Sequence, residues 1–303
     1  MLKETPIRIV GTDWGQSSPL ESCRVTVIVD DAPARDGSLL YKHGLSILVE
    51  AASENSTAKI LFDAGPSPGI FMRNAKALNL WLDDLDAVVL SHGHYDHTDG
   101  LPAVLRFLSR PTPVIVHPKT FDLKFAYKPN ISYIGHGLDL SIVREYGGLL
   151  VPTRTPITLT NGIKTSGEIP LETGYEKPRG FWKAEDYSLV EDTMIDEQAL
   201  IVKLKTKGLL VVSGCAHRGI VNIVKHSQRV MHEESVHAII GGFHLSQADD
   251  ELIHSTVTSL KEDISPDYIY PCHCTGKKAI EELYETFGKR CEQLKTGDSI
   301  TLK

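Results

Sequence analysis

The stretch Ser91-His-Gly-His-Tyr-Asp-His-Thr-Asp-Gly100 decides the interpretation of this chain. It follows the apolar run Ala87-Val-Val-Leu90, which predicts a short buried strand. Imidazole nitrogens and carboxylate oxygens are ligands for Zn²⁺ and similar cations. His92 and His94 share one face of extended backbone, whereas Asp96 and His97 come from the turn that follows. The sequence therefore predicts a site for two metal ions at the end of a strand.

The pattern His-x-His-x-Asp-His after an apolar strand, with Asp63 in the upstream segment Ile60-Leu-Phe-Asp-Ala-Gly65, resembles the metallo-β-lactamase superfamily. The resemblance implies an α/β fold of the αββα type, in which helices cover two mixed sheets and the metals lie at one edge between them. It assigns His92 and His94 to one metal and Asp96 and His97 to the other. Asp63 would be a metal ligand or would support the site from behind.

Length and composition indicate an ordinary globular protein. The chain has 303 residues, of which 41% are hydrophobic and 23% charged. No linker rich in Gly, Ser, Pro or charge divides it, so we expect one domain over residues 1–303. The net charge of −7 argues against a nucleic-acid substrate, because binding to a phosphate backbone depends on clustered Lys and Arg.

The expected location is the cytoplasm, without a membrane anchor. No apolar run approaches the ~18 residues of a membrane span, and the first residues show no apolar signal segment. The five cysteines are scattered without framework spacing, so disulfides are not expected. The oligomeric state cannot be predicted.

Local patterns predict the order of strands and helices. The first half should contain strands at 7–10 and 24–30, a hairpin formed by 43–50 and 58–63, helices at 70–80 and 101–108, and a strand at 114–118. The second half should repeat a strand followed by a helix three times before a closing strand near 299–302.

Each of the three later strands ends in a candidate ligand. These are His217 in Ser-Gly-Cys-Ala-His, His244 in Gly-Gly-Phe-His-Leu and His273 in Pro-Cys-His-Cys-Thr-Gly. Parallel strands joined by helices concentrate function at their carboxyl ends. We predict His217 and His273 as metal ligands, and His244 as a ligand or a substrate contact. Cys215 stands where the superfamily has a bridging Asp, and it is either a ligand or a buried structural thiol. Cys274 should point away from the site.

The span from about 119 to 190 is the least regular, and it mixes aromatic with basic residues. We interpret it as a substrate lid or a solvated variable loop, with Arg179 and Trp182 as candidate substrate contacts. Glu168 stands where the superfamily normally has its next ligand histidine, so it is a candidate ligand. His43 is a pocket residue near the metals or an exposed histidine at a strand end.

Two metal ions could activate water or clamp anionic oxygens, which suits phosphoesters, lactones and other substrates. The cations expected are Zn²⁺ first, with Fe²⁺, Mn²⁺ or Mg²⁺ as alternatives. Asp96, His217 and His244 are the candidate catalytic residues.

The segments around His43, His217, His244 and His273 resemble a narrower subfamily. It includes the 7,8-dihydropterin-6-methyl-4-(β-D-ribofuranosyl)aminobenzene 5′-phosphate synthases of methanopterin biosynthesis. The resemblance implies that a dihydropterin methyl diphosphate condenses with a ribosyl-aminobenzene 5′-phosphate and releases pyrophosphate. Two alternatives stay open: a dinuclear-metal hydrolase of a small phosphoester or lactone, and a non-catalytic member that binds a small phosphorylated or heterocyclic ligand.

Overall fold

The computed structural model describes residues 20–54, 56–108, 110–127 and 129–303. The predicted strand at 7–10 lies outside these residues. In chain order, the strands are β1 (Ser22–Val29), β2 (Ser46–Ala52), β3 (Thr57–Phe62), β4 (Ala87–Val89), β5 (Thr112–Val116), β6 (Lys124–Tyr127), β7 (Ile131–Tyr133), β8 (Gly148–Pro152), β9 (Thr158–Thr160), β10 (Ile163–Thr165), β11 (Phe181–Glu185), β12 (Ser188–Glu191), β13 (Leu200–Leu204), β14 (Gly208–Ser213), β15 (Val236–Gly241), β16 (Tyr268–Pro271) and β17 (Ser299–Leu302).

The helices lie mostly between parallel strands. They are α1 (Pro68–Ala77), α2 (Tyr95–Thr98), α3 (Leu101–Phe107), α4 (Leu140–Glu145), α5 (Ile220–Met231), α6 (Asp250–Ser259) and α7 (Lys277–Phe287). A π-helical turn, Leu260–Ile264, extends α6, and 3₁₀ turns occupy His273–Thr275 and Gly288–Arg290. No helix of the described residues is long and apolar enough to cross a bilayer.

Two large mixed sheets form the centre of the fold. The first has the strand order β17-β1-β2-β3-β4-β5-β8 and is parallel from β3 to β8. The second has the order β16-β15-β14-β13-β10-β9 and is parallel from β14 to β16. A small antiparallel sheet, which we call the lid sheet, has the order β12-β11-β6-β7.

The apolar residues of β14 explain why the second sheet is buried on both faces. Leu210 and Val212 pack into the core between the two large sheets, whereas Leu209 and Val211 face α5, α6 and α7. Successive residues of a strand point to opposite sides, so a continuous apolar run is required here. The first sheet is covered in the same way by α1 and α3. The predicted αββα sandwich is therefore confirmed.

Apart from the strand at 7–10, the predicted elements outside the middle span are confirmed with small shifts of their ends. The predicted hairpin is the antiparallel pair β2–β3, and the three strand-and-helix units are β14–α5, β15–α6 and β16–α7.

Residues 119–190, the least regular part of the sequence, contain more strands than their pattern indicates. β8 adds to the first large sheet, and β9 and β10 add to the second. Only β6, β7, β11 and β12 form a separate unit. These strands are short, and three to five residues give too little alternation to be recognised in sequence.

Candidate metal centre

The loop after β4 buries every candidate ligand that it carries. His92 and His97 are 0% exposed, Asp96 is 4% exposed and His94 is 5% exposed. His94 keeps extended backbone and precedes α2, whose single turn presents Asp96 and His97. The change from extended to helical backbone divides these candidate ligands between two groups.

The first ligand group consists of His92, His94 and His217. The Nε2 atom of His92 lies 3.0 Å from Nδ1 of His94 and 3.2 Å from Nε2 of His217. Burial lowers the pKa of each of these three imidazoles well below its ordinary value, so the rings are neutral, as metal binding requires.

The second ligand group consists of Asp96, His97, Cys215 and His273. The Sγ atom of Cys215 lies 3.2 Å from Nε2 of His97 and 3.2 Å from Nε2 of His273. Oδ2 of Asp96 lies 3.4 Å from Nε2 of His97 and 3.6 Å from Nε2 of His273. Four donor atoms of nitrogen, oxygen and sulfur thus face one point, which is a donor set and number suited to Zn²⁺.

Carboxylates behind the second group fix its histidine rings. Nδ1 of His97 donates to Oδ2 of Asp63 over 2.6 Å, and Nδ1 of His273 donates to Oδ1 of Asp31 over 2.7 Å. In this tautomer each Nε2 carries a lone pair directed at the ligand group. Asp63 also accepts bonds from the backbone and hydroxyl of Ser91, at 2.7 Å each. Asp63 therefore supports the site from behind, which was one of its two predicted roles.

The histidine rings of the first group have weaker hydrogen-bonding support. Nδ1 of His92 contacts the Ser91 hydroxyl at 2.9 Å. Nε2 of His94 and Nδ1 of His217 are buried and have no hydrogen-bond partner among the described residues. Neutral oxygen, rather than a carboxylate, is the only hydrogen-bonding support that the described residues give these three rings.

A cation fits both groups. Nε2 of His92 has one lone pair once its Nδ1 proton faces Ser91, yet it meets two further imidazole nitrogens. One lone pair accepts a hydrogen bond from one of these nitrogens and leaves the other without a partner, whereas a divalent cation accepts a lone pair from all three rings. Cys215 also groups with His217 and His244, so it lies between the two groups.

Strained backbone turns the ligands toward this centre. Asp63, Ala216, His244 and His273 have φ values of 59°, 62°, 49° and 50°. Each such residue costs about 1 kcal/mol, and residues of this kind cluster at functional sites. Because Ala216 breaks the extended backbone after β14, Cys215 enters the second group and His217 the first.

Two neighbouring cavities open beside the ligands. The metal chamber, about 250 Å³, is lined by His43, Asp96, Phe181, Cys215, His217 and His244 among others. The side chamber, about 350 Å³, is lined by Lys177, Arg179, His217, His244, Leu252 and Thr256 among others. Arg179, His217 and His244 line both chambers.

His43 lies at the mouth of the metal chamber, as one of its two predicted roles requires. Its Nδ1 is 2.9 Å from Asp31, and its Nε2 is 3.3 Å from Asp96. Its side chain is 55% exposed, so it faces both the ligand group and solvent.

Glu168 belongs to neither ligand group. Its carboxylate lies 2.8 Å from Nε2 of His117 and 3.5 Å from Arg154. His217, from the end of β14, completes the set of three imidazoles instead. Glu168 is a candidate in the sequence because it stands at the superfamily position of a ligand histidine, but the structure pairs its carboxylate with His117 instead.

Trp182 lines neither chamber, and its neighbour Phe181 takes the predicted place beside the site. The Phe181 ring centroid lies 4.6 Å from that of His217 and 5.5 Å from those of His94 and His244. Neighbouring residues of β11 point to opposite faces, so only one of the two can face the metals. Arg179 does line both chambers.

Sequence reasoning missed Asp31, Phe181 and Cys274. Asp31 follows the end of β1, and a carboxylate at a strand end is a signal that could have found it. Cys274 was expected to point away, but it lines the metal chamber, and its Sγ lies 3.3 Å from the Cys215 carbonyl. The 3₁₀ turn that begins at His273 ends the strand alternation on which that expectation rested.

A buried ion cluster connects the lid sheet to the metal loop. Nζ of Lys124, on β6, lies 2.7 Å from Asp192 and 2.8 Å from Asp196. The other oxygen of Asp196 accepts a 2.8 Å bond from the backbone of Gly93, between the first two ligands. A Cβ at Gly93 would lie 1.9 Å from the Thr120 carbonyl, so only glycine fits there.

The chain is similar to proteins of one superfamily. Residues 58–170 match the family model of the beta-lactamase superfamily domain. The chain is 35% identical over 288 residues to 7,8-dihydropterin-6-methyl-4-(beta-D-ribofuranosyl)-aminobenzene-5′-phosphate synthase of Methanocaldococcus jannaschii, covering 93% of this chain and 97% of that protein.

Solved structures share the fold. Tm1679, described as a metal-dependent hydrolase of the beta-lactamase superfamily, superposes with a TM-score of 0.75 at 30% identity and covers 92% of this chain and 98% of its own. Zinc-bound PqqB from Methylobacterium extorquens gives a TM-score of 0.54 at 12% identity, with 91% and 99% covered. The chain therefore belongs to the metallo-β-lactamase superfamily.

Proposed function

We propose that this chain joins a dihydropterin methyl diphosphate to a ribosyl-aminobenzene 5′-phosphate and releases pyrophosphate, a step of methanopterin-type biosynthesis. The observation that carries the proposal is the 35% identity to the M. jannaschii synthase over nearly the whole of both chains. That relative's name describes the product of this condensation. Two cavities side by side, about 250 and 350 Å³, are consistent with an enzyme that holds two substrates.

Two divalent cations would occupy the two ligand groups. Zn²⁺ is favoured over Fe²⁺, Mn²⁺ or Mg²⁺, because imidazole and thiolate are softer ligands than the oxygens that Mg²⁺ requires. When bound, the cations would neutralise the diphosphate and stabilise the charge of the departing pyrophosphate.

The protein residues would orient the substrates and accept one proton. A bond forms between the arylamine nitrogen and the methylene carbon of the pterin, and the bond from that carbon to the diphosphate oxygen breaks. The nitrogen then loses a proton, for which His244 is the proposed acceptor, because its Nδ1 is buried without a partner among the described residues. Arg179 and His43 are the proposed phosphate contacts. Asp96 and His217 hold the cations.

The cytoplasm is the proposed location. All five cysteines are free and buried, which fits a reducing compartment. The substrates would be small phosphorylated heterocycles.

A hydrolase is the second candidate function. The structural match to a protein described as a metal-dependent hydrolase favours it. Both candidates use the same ligand groups. In the hydrolase, water would attack a small phosphoester or lactone, whereas in the synthase the arylamine attacks the methylene carbon of the pterin.

The deciding experiment measures pyrophosphate released from dihydropterin methyl diphosphate by zinc-loaded protein, with and without the arylamine. The synthase predicts release that depends on the arylamine and a condensed product by mass spectrometry. Equal release in both reactions would indicate a hydrolase. No release, together with an Asp96→Ala variant that still binds substrate, would indicate a non-catalytic binding protein.

A further inference from the structure

We propose that the side chamber is the binding site for the aromatic amine, with the phosphate of that substrate at its mouth. The inference rests on the proposed function and deepens it, because it assigns one chamber to each substrate. The metal chamber, which covers both ligand groups, would take the diphosphate.

Unpartnered polar atoms mark the side chamber as a ligand site. Nδ1 of His217, Nδ1 of His244 and the hydroxyl of Thr256 are buried and have no hydrogen-bond partner among the described residues. All three residues line this chamber. A buried polar group without a partner is unfavourable by about 1–3 kcal/mol, so a ligand that supplies partners would bind with that gain.

The walls suit an aromatic ring. Phe243, Leu245 and Leu252 give the chamber an apolar side, and the buried polar atoms lie on other residues of its lining. An apolar wall with a few placed polar groups is the usual composition of a site for a small organic ligand. The benzene ring would pack on the wall, the amine would meet Nδ1 of His244, and the ribose hydroxyls would meet the hydroxyl of Thr256.

The charges on the rim suit a phosphate. Lys177 and Arg179 are exposed, and neither has an ion-pair partner among the described residues. The two acidic residues of the lining are already engaged. Glu176 accepts bonds from the backbone of Val221 and Asn222 at the start of α5, and Asp249 accepts one from Leu252 at the start of α6. The side chains of Lys177 and Arg179 are therefore available to bind the phosphate of the substrate.

The common wall of the chambers places the reacting groups together. His217 and His244 line both cavities, and their ring centroids are 4.2 Å apart. An amine reaching this wall from the side chamber meets the pterin methylene above the ligand groups. Its phosphate would then lie at the rim of the side chamber, near Lys177 and within reach of Arg179.

Thr256→Val tests the assignment, because valine keeps the shape and removes the hydroxyl. Thr258→Val is the matched control on the same helix, since Thr258 lines neither chamber. We expect Thr256→Val to raise the KM for the arylamine about tenfold, equivalent to one lost hydrogen bond, and to leave the KM for the pterin diphosphate unchanged. Thr258→Val should change neither constant.

Leu252→Trp is a second test, because it fills the side chamber from its apolar wall. It should weaken binding of the arylamine phosphate, measured by calorimetry, and leave binding of inorganic pyrophosphate and the zinc content unchanged. A wild-type protein that condenses the substrates while both variants keep the wild-type KM for the arylamine would overturn the chamber assignment alone. A wild-type protein that makes no condensed product would overturn the proposed function, and the assignment with it.

Discussion

The two ligand groups differ in charge and in what stands behind them. The first group offers three neutral imidazoles, supported by one hydroxyl, that of Ser91. The second combines Asp96 and Cys215 with two imidazoles, each held by a carboxylate. Negative ligands and fixed rings strengthen cation binding. We therefore expect the second group to hold its cation more firmly than the first group.

Removal of the metals should show this difference most strongly. A chelator should extract the cation of the first group before that of the second, in two phases, and the first phase should remove all condensing activity because both cations are needed at the diphosphate. The measurement is zinc content and activity against time. Loss of both ions in one phase would contradict the proposed order.

The two ligand groups should also differ in how strongly their cation affinity depends on pH. In the metal-free protein, burial raises the pKa of Cys215 well above its usual value. Burial alone would lower the pKa of His97, but Asp96 and Asp63 outweigh it and raise that pKa well above its usual value. A cation entering the second group must displace these protons. Its affinity should rise roughly tenfold per pH unit for each proton displaced near neutrality.

The first group should show little such dependence near neutral pH, because the lowered pKa values leave its imidazoles already neutral. Zinc titrations at several pH values test both slopes. Cys215→Ser should reduce the slope of the second group by one proton, and an unchanged slope would exclude Cys215 as a ligand.

Removal of the carboxylate charge behind His273 should have a smaller effect on zinc binding. Asp31→Asn keeps the shape but removes the charge that holds the ring, so it should weaken zinc binding at the second group by about 10- to 100-fold. Ser91→Ala is the counterpart at the first group, where the loss of one neutral hydrogen bond to His92 predicts only about fivefold weaker zinc binding. The same substitution removes one bond that Asp63 accepts behind the second group, so the two variants are compared by zinc affinity at the first group for Ser91→Ala and at the second group for Asp31→Asn. Equal losses of zinc affinity in the two variants would show that the histidines of the two groups are supported equally well.

The smallest expected effect concerns the ion cluster behind Gly93. Asp196→Asn weakens the contact that positions the loop between His92 and His94, so zinc affinity at the first group should fall by about fivefold. Asp192→Asn removes the same charge from Lys124 without touching the loop, and it serves as the control. If both variants lose thermal stability and bind zinc with the same affinity, the ion cluster has only a structural role.

Much of the fold follows from local patterns in the sequence. The apolar run before His92, the β2–β3 hairpin and the three strand-and-helix units depend on periodicity over short windows. The convergence of His92, His217 and His273 follows from the rule that loops at the carboxyl ends of parallel strands meet.

The details that escaped prediction depend on tertiary structure. His217 is predicted as a ligand, but its place beside His92 and His94 rests on the turn at Ala216, which no periodicity encodes. The choice of Phe181 over Trp182 depends on which face of β11 meets the metals, and that is set by pairing with β6. Asp31 becomes a partner of His273 across 242 positions of the chain.

The central claim is that seven side chains bind two cations, with Cys215 supplying sulfur to the centre. X-ray absorption at the zinc edge of protein loaded with two zinc ions tests it most directly. We expect a zinc–sulfur distance of about 2.3 Å in the wild-type protein and no sulfur neighbour in Cys215→Ser. A spectrum with only nitrogen and oxygen neighbours, unchanged by that substitution, would contradict the account.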